Sequence, residues 1–233
     1  GRSAVFRLDD HMKRLWQSLH ILGIDAPYTV DEMAAACLET IRANKLEQCY
    51  IRPIVFVGDG EMGLAAVDNP INMSVAVWPW GSYLGEDGIT NGIKVKTSSF
   101  QRFAVNSQMT KAKAVGHYVN SILASLESRR SGYDEALMLD TDGYAAEGCG
   151  ENLFIVRGGR VKTPPIATVL EGVTRNTAID LLSGAGVEGV EERFTRDEIY
   201  ISDEAFFTTT SPCVTPMTMV DLRDIGDGRP GPI

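Results

Sequence analysis

The sequence predicts an α+β fold in two lobes. Runs with helical spacing and runs with strand spacing are mixed, without the regular strand–helix alternation of a parallel α/β sheet. A stretch rich in glycine and acids, GSYLGEDG, interrupts the pattern after Trp80. The chain has 233 residues, 44% of them hydrophobic, enough to bury one large core or two modest ones. These observations divide the chain into an N-terminal domain over 1–80, a linker over 81–92 and a C-terminal domain over 93–233.

Taken in order, GRSAVFR at 1–7 reads as part of a strand. DDHMKRLWQSLHILGI has apolar residues at helical spacing, with Asp9 or Asp10 as N-cap and Gly23 as the stop. TVDEMAAACLETIRANKL repeats that pattern from Thr29 or Asp31. QCYIRPIVFVGD and NMSVAVWPW are β-branched and aromatic, and read as two strands. Beyond the linker, the pattern predicts a strand over 93–99, a helix over 112–130 and a strand at EALMLD. A turn at TDGY, a strand at NLFIVRGGRVKTP, a helix over 174–185 and short strands follow. GDGRPGPI at 226–233 reads as a turn leading onward, so the chain is expected to be part of a longer one.

Composition excludes several kinds of function. With 22 Lys and Arg against 31 Asp and Glu, the net charge of −9 argues against an electrostatic grip on nucleic acid or an anionic membrane. No stretch approaches the roughly 18 apolar residues of a membrane span, and none reads as a signal peptide. Cys37, Cys49, Cys149 and Cys213 lack C-x-x-C spacing and fit reduced thiols of a cytoplasmic protein. His11, His20 and His117 have no metal-ligand spacing, so no metal site is expected.

Five segments carry candidate chemistry. NSQMTKAKAVGHYVNSIL places Lys111 and Lys113 in a run, Ala104 to Leu126, with no other formally charged residue. Desolvation favours the neutral amine, which is a nucleophile; alternatively, both lysines sit on the solvated side of an amphipathic helix. AAEGCGENLF sets Glu147 and Glu151 among small residues before an apolar strand, either as one acid aimed from a tight loop or as solvated acids of a hairpin. LEGVTRNTAI and TTTSPCVTP are rich in small residues and hydroxyls. In the first, Gly172 and Thr174 lie where a helix N-terminus can receive a phosphate, or where Thr174 simply caps the helix. Neither matches the G-x-x-x-x-G-K-[ST] pattern of an NTPase. In CYIRPIVF, Tyr50 and Arg52 alternate and so share a strand face suited to a carboxylate or phosphate, unless Arg52 is ion-paired at an edge. An amine, an acid in a tight loop, anion-binding turns and an Arg/Tyr strand together suit pyridoxal phosphate.

The motifs HMKRL, YIRPIVF, PWGSYLG, TKAKAVGHY, EGCGENLF, TPP and LEGVTR stand in the order and at about the spacing of the branched-chain aminotransferases, fold type IV enzymes of pyridoxal phosphate. The resemblance runs over essentially the whole chain. It implies a small N-terminal α/β lobe and a larger, barrel-like C-terminal lobe. It makes Lys113 the catalytic Schiff-base lysine and Glu147 the partner of the pyridine nitrogen. Tyr118 would bond the ring hydroxyl side. Arg14 would hold the phosphate with Gly172, Val173, Thr174 and Thr210. Tyr50, Thr210 and Ser211 would take the substrate α-carboxylate, and Arg52 the distal carboxylate of glutamate. Trp80 and Tyr83 would line the side-chain pocket, and Leu64 would reach a neighbouring subunit's site.

The sequence departs from the family pattern at Val115, His117 and around Thr209 to Pro212. Pro212 has no N–H, so Thr210 and Ser211 must donate. The resemblance implies transamination between leucine, isoleucine or valine and 2-oxoglutarate by a ping-pong route. The partners are then amino acids and 2-oxo acids, and the protein a cytoplasmic homodimer or higher homo-oligomer. A D-amino-acid or (R)-amine transaminase or an aminodeoxychorismate lyase shares the fold and is the alternative.

Overall fold

The structure, a computed structural model, describes residues 4–65, 68–81, 85–211 and 213–233. The chain divides into two compact units, Gly1–Trp80 and Gly81–Ile233.

In the first unit, helices α1 (Leu8–Ile21) and α2 (Val30–Ala43) precede an antiparallel hairpin of β1 (Tyr50–Val57) and β2 (Ile71–Trp78). The strand expected at the start is absent from residues 4–7. Instead Arg7 takes a left-handed conformation (φ 49) and turns the chain directly into α1. Asp10 is not the cap but a first-turn acid, accepting from Arg7 Nε at 2.6 Å, where it favours the positive helix end. Thr29 caps α2 through a reciprocal box with Glu32: the Glu32 amide donates to Thr29 Oγ1 at 3.2 Å, and the Thr29 amide to Glu32 Oε2 at 2.7 Å. Met12, Met33 and Cys37 form the core, packed against Ile51, Val55, Met73 and Val75 from one face of the hairpin.

In the second unit, helix α3 (Gly85–Asn91) lies within the stretch read as a linker. Glycines at 85, 88 and 92 read as breakers, yet only Gly92 ends an element, at φ 77. The strands that follow are β3 (Ile93–Thr97), β4 (Glu135–Leu139), β5 (Ala145–Gly148), β6 (Asn152–Arg157), β7 (Arg160–Thr163), β8 (Gly189–Glu191), β9 (Glu204–Thr209), β10 (Cys213–Val220) and β11 (Arg223–Asp224). Pairing runs β10-β3-β4-β5-β6, and β9 joins β6 to β10. Those strands therefore close into a barrel, which removes exposed edges. Ile93, Val95, Leu137, Leu153, Ile155 and Phe207 share the barrel core.

Outer faces of the same strands pack on helices. Ala136 and Met138 meet Ala124 of α4 (Tyr118–Arg130), while Phe154, Val156 and Phe206 meet α5 (Val173–Gly184). The run NLFIVRGGRVKTP is not one strand but the β6–β7 hairpin, turned by Gly158 and Gly159 at φ 58 and 77. The helix expected over 112–130 begins later: a 3-10 turn at Val115–His117 leads into α4, leaving TKAK in irregular backbone. Among the described residues, no helix is long and apolar enough to cross a membrane, and no cluster of His, Cys, Asp and Glu could hold a metal ion.

Candidate active site

An open pocket in the second unit is lined by Arg102, Lys113, Tyr118, Glu147, Asn152 and Leu170, among others. Lys113 enters it from the irregular stretch before α4. Its Nζ donates to Tyr118 Oη at 2.5 Å, across five residues that the 3-10 turn folds back. The Lys113 side chain is exposed, so the desolvation expected of it falls elsewhere. Lys111 is the half-buried lysine, donating to the Val169 carbonyl at 3.2 Å; burial pulls its ammonium pKa down, and Glu171 partly opposes this. Because the stretch is not helical, the two lysines do not share a helix face, and neither sequence alternative describes them both.

Glu147 lies in β5, one residue before its end, opposite Met138 of β4. Its Oε1 meets Arg102 Nη2 at 2.8 Å, and its Oε2 accepts from the Leu170 amide at 3.2 Å. Burial pushes its carboxyl upward, and the Arg102 charge pulls it back. Glu151 lies in the next turn and accepts from the Gly150 amide at 2.8 Å; burial, and then the charge of Glu135, pushes it up to about 8. The turn is tight because Gly148 allows it: a Cβ there would lie 2.7 Å from Glu151 Oε2 and 3.1 Å from the Phe207 ring. Neither acid is therefore the solvated hairpin acid of the alternative reading.

Helix α5 opens at Gly172 with no side-chain cap, so Thr174 does not cap it. A Cβ on Gly172 would collide with Asn152 Oδ1, while Asn152 Nδ2 donates to the Leu170 carbonyl at 2.9 Å. Glycine thus lets the helix start sit against β6, with the amides of Val173 and Thr174 in its first turn. At the β9–β10 turn, Thr209 Oγ1 donates to the Gly150 carbonyl at 3.2 Å, Thr210 is exposed, and Ser211 Oγ donates to the Gly81 carbonyl at 3.2 Å.

The first unit holds the other expected residues. Tyr50 packs against Trp80 with centroids 4.5 Å apart and against Trp78 at 5.1 Å; the Arg52 guanidinium lies 5.7 Å from Tyr50 and 5.5 Å from Trp78. The strand alternation therefore places Tyr50 and Arg52 on one face as expected. Arg14 Nη2 lies 3.4 Å from His11 Nδ1 on α1, and Leu64 is fully exposed. Tyr83 and Pro212 lie outside the described residues. Sequence reading missed Arg102, Asn152 and Trp78. Trp78 had a signal, its place two residues before Trp80 on the same strand face; the others had none in local spacing.

Residues 2–220 match the model of the family described as Amino-transferase class IV, and the chain belongs to that family. A curated relative from Pseudomonas aeruginosa, "Branched-chain-amino-acid aminotransferase", is 50% identical over 231 residues, which are 99% of this chain and 75% of that protein. The solved branched-chain amino acid aminotransferase of Escherichia coli matches with a TM-score of 0.95 at 41% identity, over 97% of this chain and 75% of that one. A branched-chain amino acid aminotransferase from T.th., solved with pyridoxamine 5'-phosphate, matches with a TM-score of 0.93 at 43% identity, over 97% of this chain and 75% of that one.

Proposed function

We infer that this chain transfers amino groups between branched-chain L-amino acids and 2-oxoglutarate, with pyridoxal 5'-phosphate as cofactor. The observation that carries this is one pocket holding the Lys113 amine, the Tyr118 hydroxyl and the buried Glu147 carboxylate, in a chain whose relatives bear that activity in their names. The donor chemistry fits the cofactor. The pocket offers an amine for an aldehyde and a buried carboxylate for a ring N–H, and two residues beyond Leu170 of its lining the uncapped start of α5 at Gly172 suits a phosphate. When bound, the cofactor supplies the aldehyde that takes the amino group and the ring that accepts the electron pair as the Cα–H bond breaks.

The protein's residues divide the remaining tasks. Lys113 anchors the cofactor and carries or returns a proton at Nζ, and Tyr118 orients that amine. Glu147 keeps the ring nitrogen protonated. Gly172, Val173, Thr174 and Thr210 offer backbone and hydroxyl donors to the phosphate, and Arg14 adds charge. Tyr50, Thr210 and Ser211 hold the α-carboxylate. Arg52 takes the distal carboxylate of glutamate, and its guanidinium lies beside the Tyr50 and Trp78 rings, where an aliphatic side chain is tolerated. Trp80, packed against Tyr50, lines the apolar wall.

Self-association is part of the proposal, with Leu64 reaching the second copy. Helix α4 buries Ser121, Ala124 and Ser128 while exposing Val119, Ile122, Leu123 and Leu126, an apolar face that another copy would cover. Four free cysteines favour a reducing, cytoplasmic setting. Assays with L-leucine, D-alanine and (R)-phenylethylamine, each with a keto acceptor, test the reading. L-leucine is expected to react, and activity confined to either of the others would overturn it.

A further inference from the structure

Arg102 and Glu151 line the pocket without a part in the chemistry above, and Arg102 is the one of the two that contacts Glu147. It lies between β3 and the lysine stretch, where its amide donates to the Leu139 carbonyl at 2.8 Å. Its guanidinium lies over the Phe103 ring at 4.3 Å, donates through Nη1 to Asn120 Oδ1 at 3.3 Å and meets Glu147 through Nη2 at 2.8 Å. Asn120 is itself fixed, donating to the Gln101 carbonyl at 2.9 Å. The side chains of Arg102 and Glu147 are 7% and 8% exposed, and Arg102 Nε has no hydrogen-bond partner among the described residues. Stability explains such a pair poorly. A buried ion pair seldom outperforms apolar packing, and an unpaired buried donor makes it worse.

Control of Glu147 explains it better. The carboxylate is clamped on one side by the guanidinium and on the other by the Leu170 amide. The charges that face it are Arg102 from the segment after β3, Lys111 and Lys113 from the stretch before α4, and Glu151 from the β5–β6 turn. Among the described residues, Arg102 is the charge in contact with it.

We propose that Arg102 is a positioning residue that holds the Glu147 carboxylate ionised and aimed, so that the cofactor's ring nitrogen meets an anion rather than a neutral acid. The proposal rests on Glu147 as the ring-nitrogen partner.

The test compares the holoenzyme with Arg102→Met, Arg102→Lys, Glu147→Gln and the Arg102→Met/Glu147→Gln double variant, following bound-cofactor absorbance and kcat/KM against pH. In Arg102→Met the Glu147 anion should form only at higher pH. The absorbance midpoint should move upward, and activity should fall about tenfold for each unit that the pH lies below it, recovering above. Arg102→Lys should restore the wild-type profile, and the double variant should be no worse than Glu147→Gln. Should Arg102→Met fail to fold, the other variants decide, since the double variant buries no lone charge. An unmoved Arg102→Met profile, failure of the lysine rescue, or losses that multiply in the double variant would overturn the role of Arg102. An unaltered Glu147→Gln spectrum and rate would instead remove the reading of Glu147.

Discussion

The aromatic hairpin of the first unit and the acid-lined pocket of the second treat charge in opposite ways. On the hairpin, Arg52 remains exposed while lying over the Tyr50 and Trp78 rings, so its charge stays hydrated. In the pocket, Glu147 and Arg102 are buried and pinned, Glu147 by the Leu170 amide and Arg102, and the Arg102 guanidinium by Glu147 and the Asn120 side chain. A hydrated cation can engage a carboxylate in one half-reaction and ignore an aliphatic chain in the other. A sealed carboxylate that must keep its charge needs fixed partners, because unpaired polar groups are costly in a low dielectric. Substrate breadth and constancy of one proton therefore call for different surroundings.

The sharpest way to break this contrast is at the sealed acid. Glu147→Gln keeps the shape and removes the anion, so it should retain bound cofactor while kcat falls by about two to three powers of ten, the scale of losing a preorganised electrostatic partner. Near-normal turnover would show that the pocket does not need its charge. Steady-state kinetics with cofactor content measured in parallel separates these outcomes.

A smaller and more selective effect is expected on the hairpin. Arg52→Met should lower kcat/KM for glutamate and 2-oxoglutarate by roughly one to two powers of ten, as for loss of a charged hydrogen bond of about 1.5–3 kcal/mol. Leucine should change by no more than about threefold. Equal losses for both substrates would mean that Arg52 holds the α-carboxylate or the strand itself.

The smallest effect concerns pH and stability. Glu151 sits at about 8 in the folded chain against an ordinary 4.5, so the folded state holds a proton that the unfolded state has released between those values. Its contribution to stability is full below about pH 4.5 and declines as pH rises towards 8. Thermal unfolding should therefore show Tm falling by a few degrees across that window, and Glu151→Gln should flatten the slope. A Tm that rises over the same window in both proteins would contradict the burial argument.

Sequence pattern reached the two regions unequally. The shared face of Tyr50 and Arg52 follows from strand periodicity, and a tight turn from the glycines around Cys149, but that turn bears Glu151, while Glu147 lies in strand β5 because it pairs with Met138 and Asn152. The mixed helices and strands followed from spacing, but the barrel came only through the family resemblance, since closure depends on β9 joining β6 to β10 across some fifty residues of chain. Arg102 and Asn152 were silent because their partners, Glu147 and Leu170, are brought to them by tertiary packing. The lysine pair was half legible. A charge-poor window marked both without separating them, and the structure divides them: Lys111 goes under the loop at Val169 and is the desolvated one, while Lys113 faces the pocket.

That last distinction is also the central claim, that Lys113 rather than Lys111 carries the cofactor. Borohydride reduction of the holoenzyme followed by peptide mass mapping should leave the phosphopyridoxyl group on Lys113 alone. In parallel, Lys113→Ala should lose attachment and at least about a thousandfold in turnover, and Lys111→Ala should keep both. A label on Lys111, or equal losses in the two variants, would contradict the account.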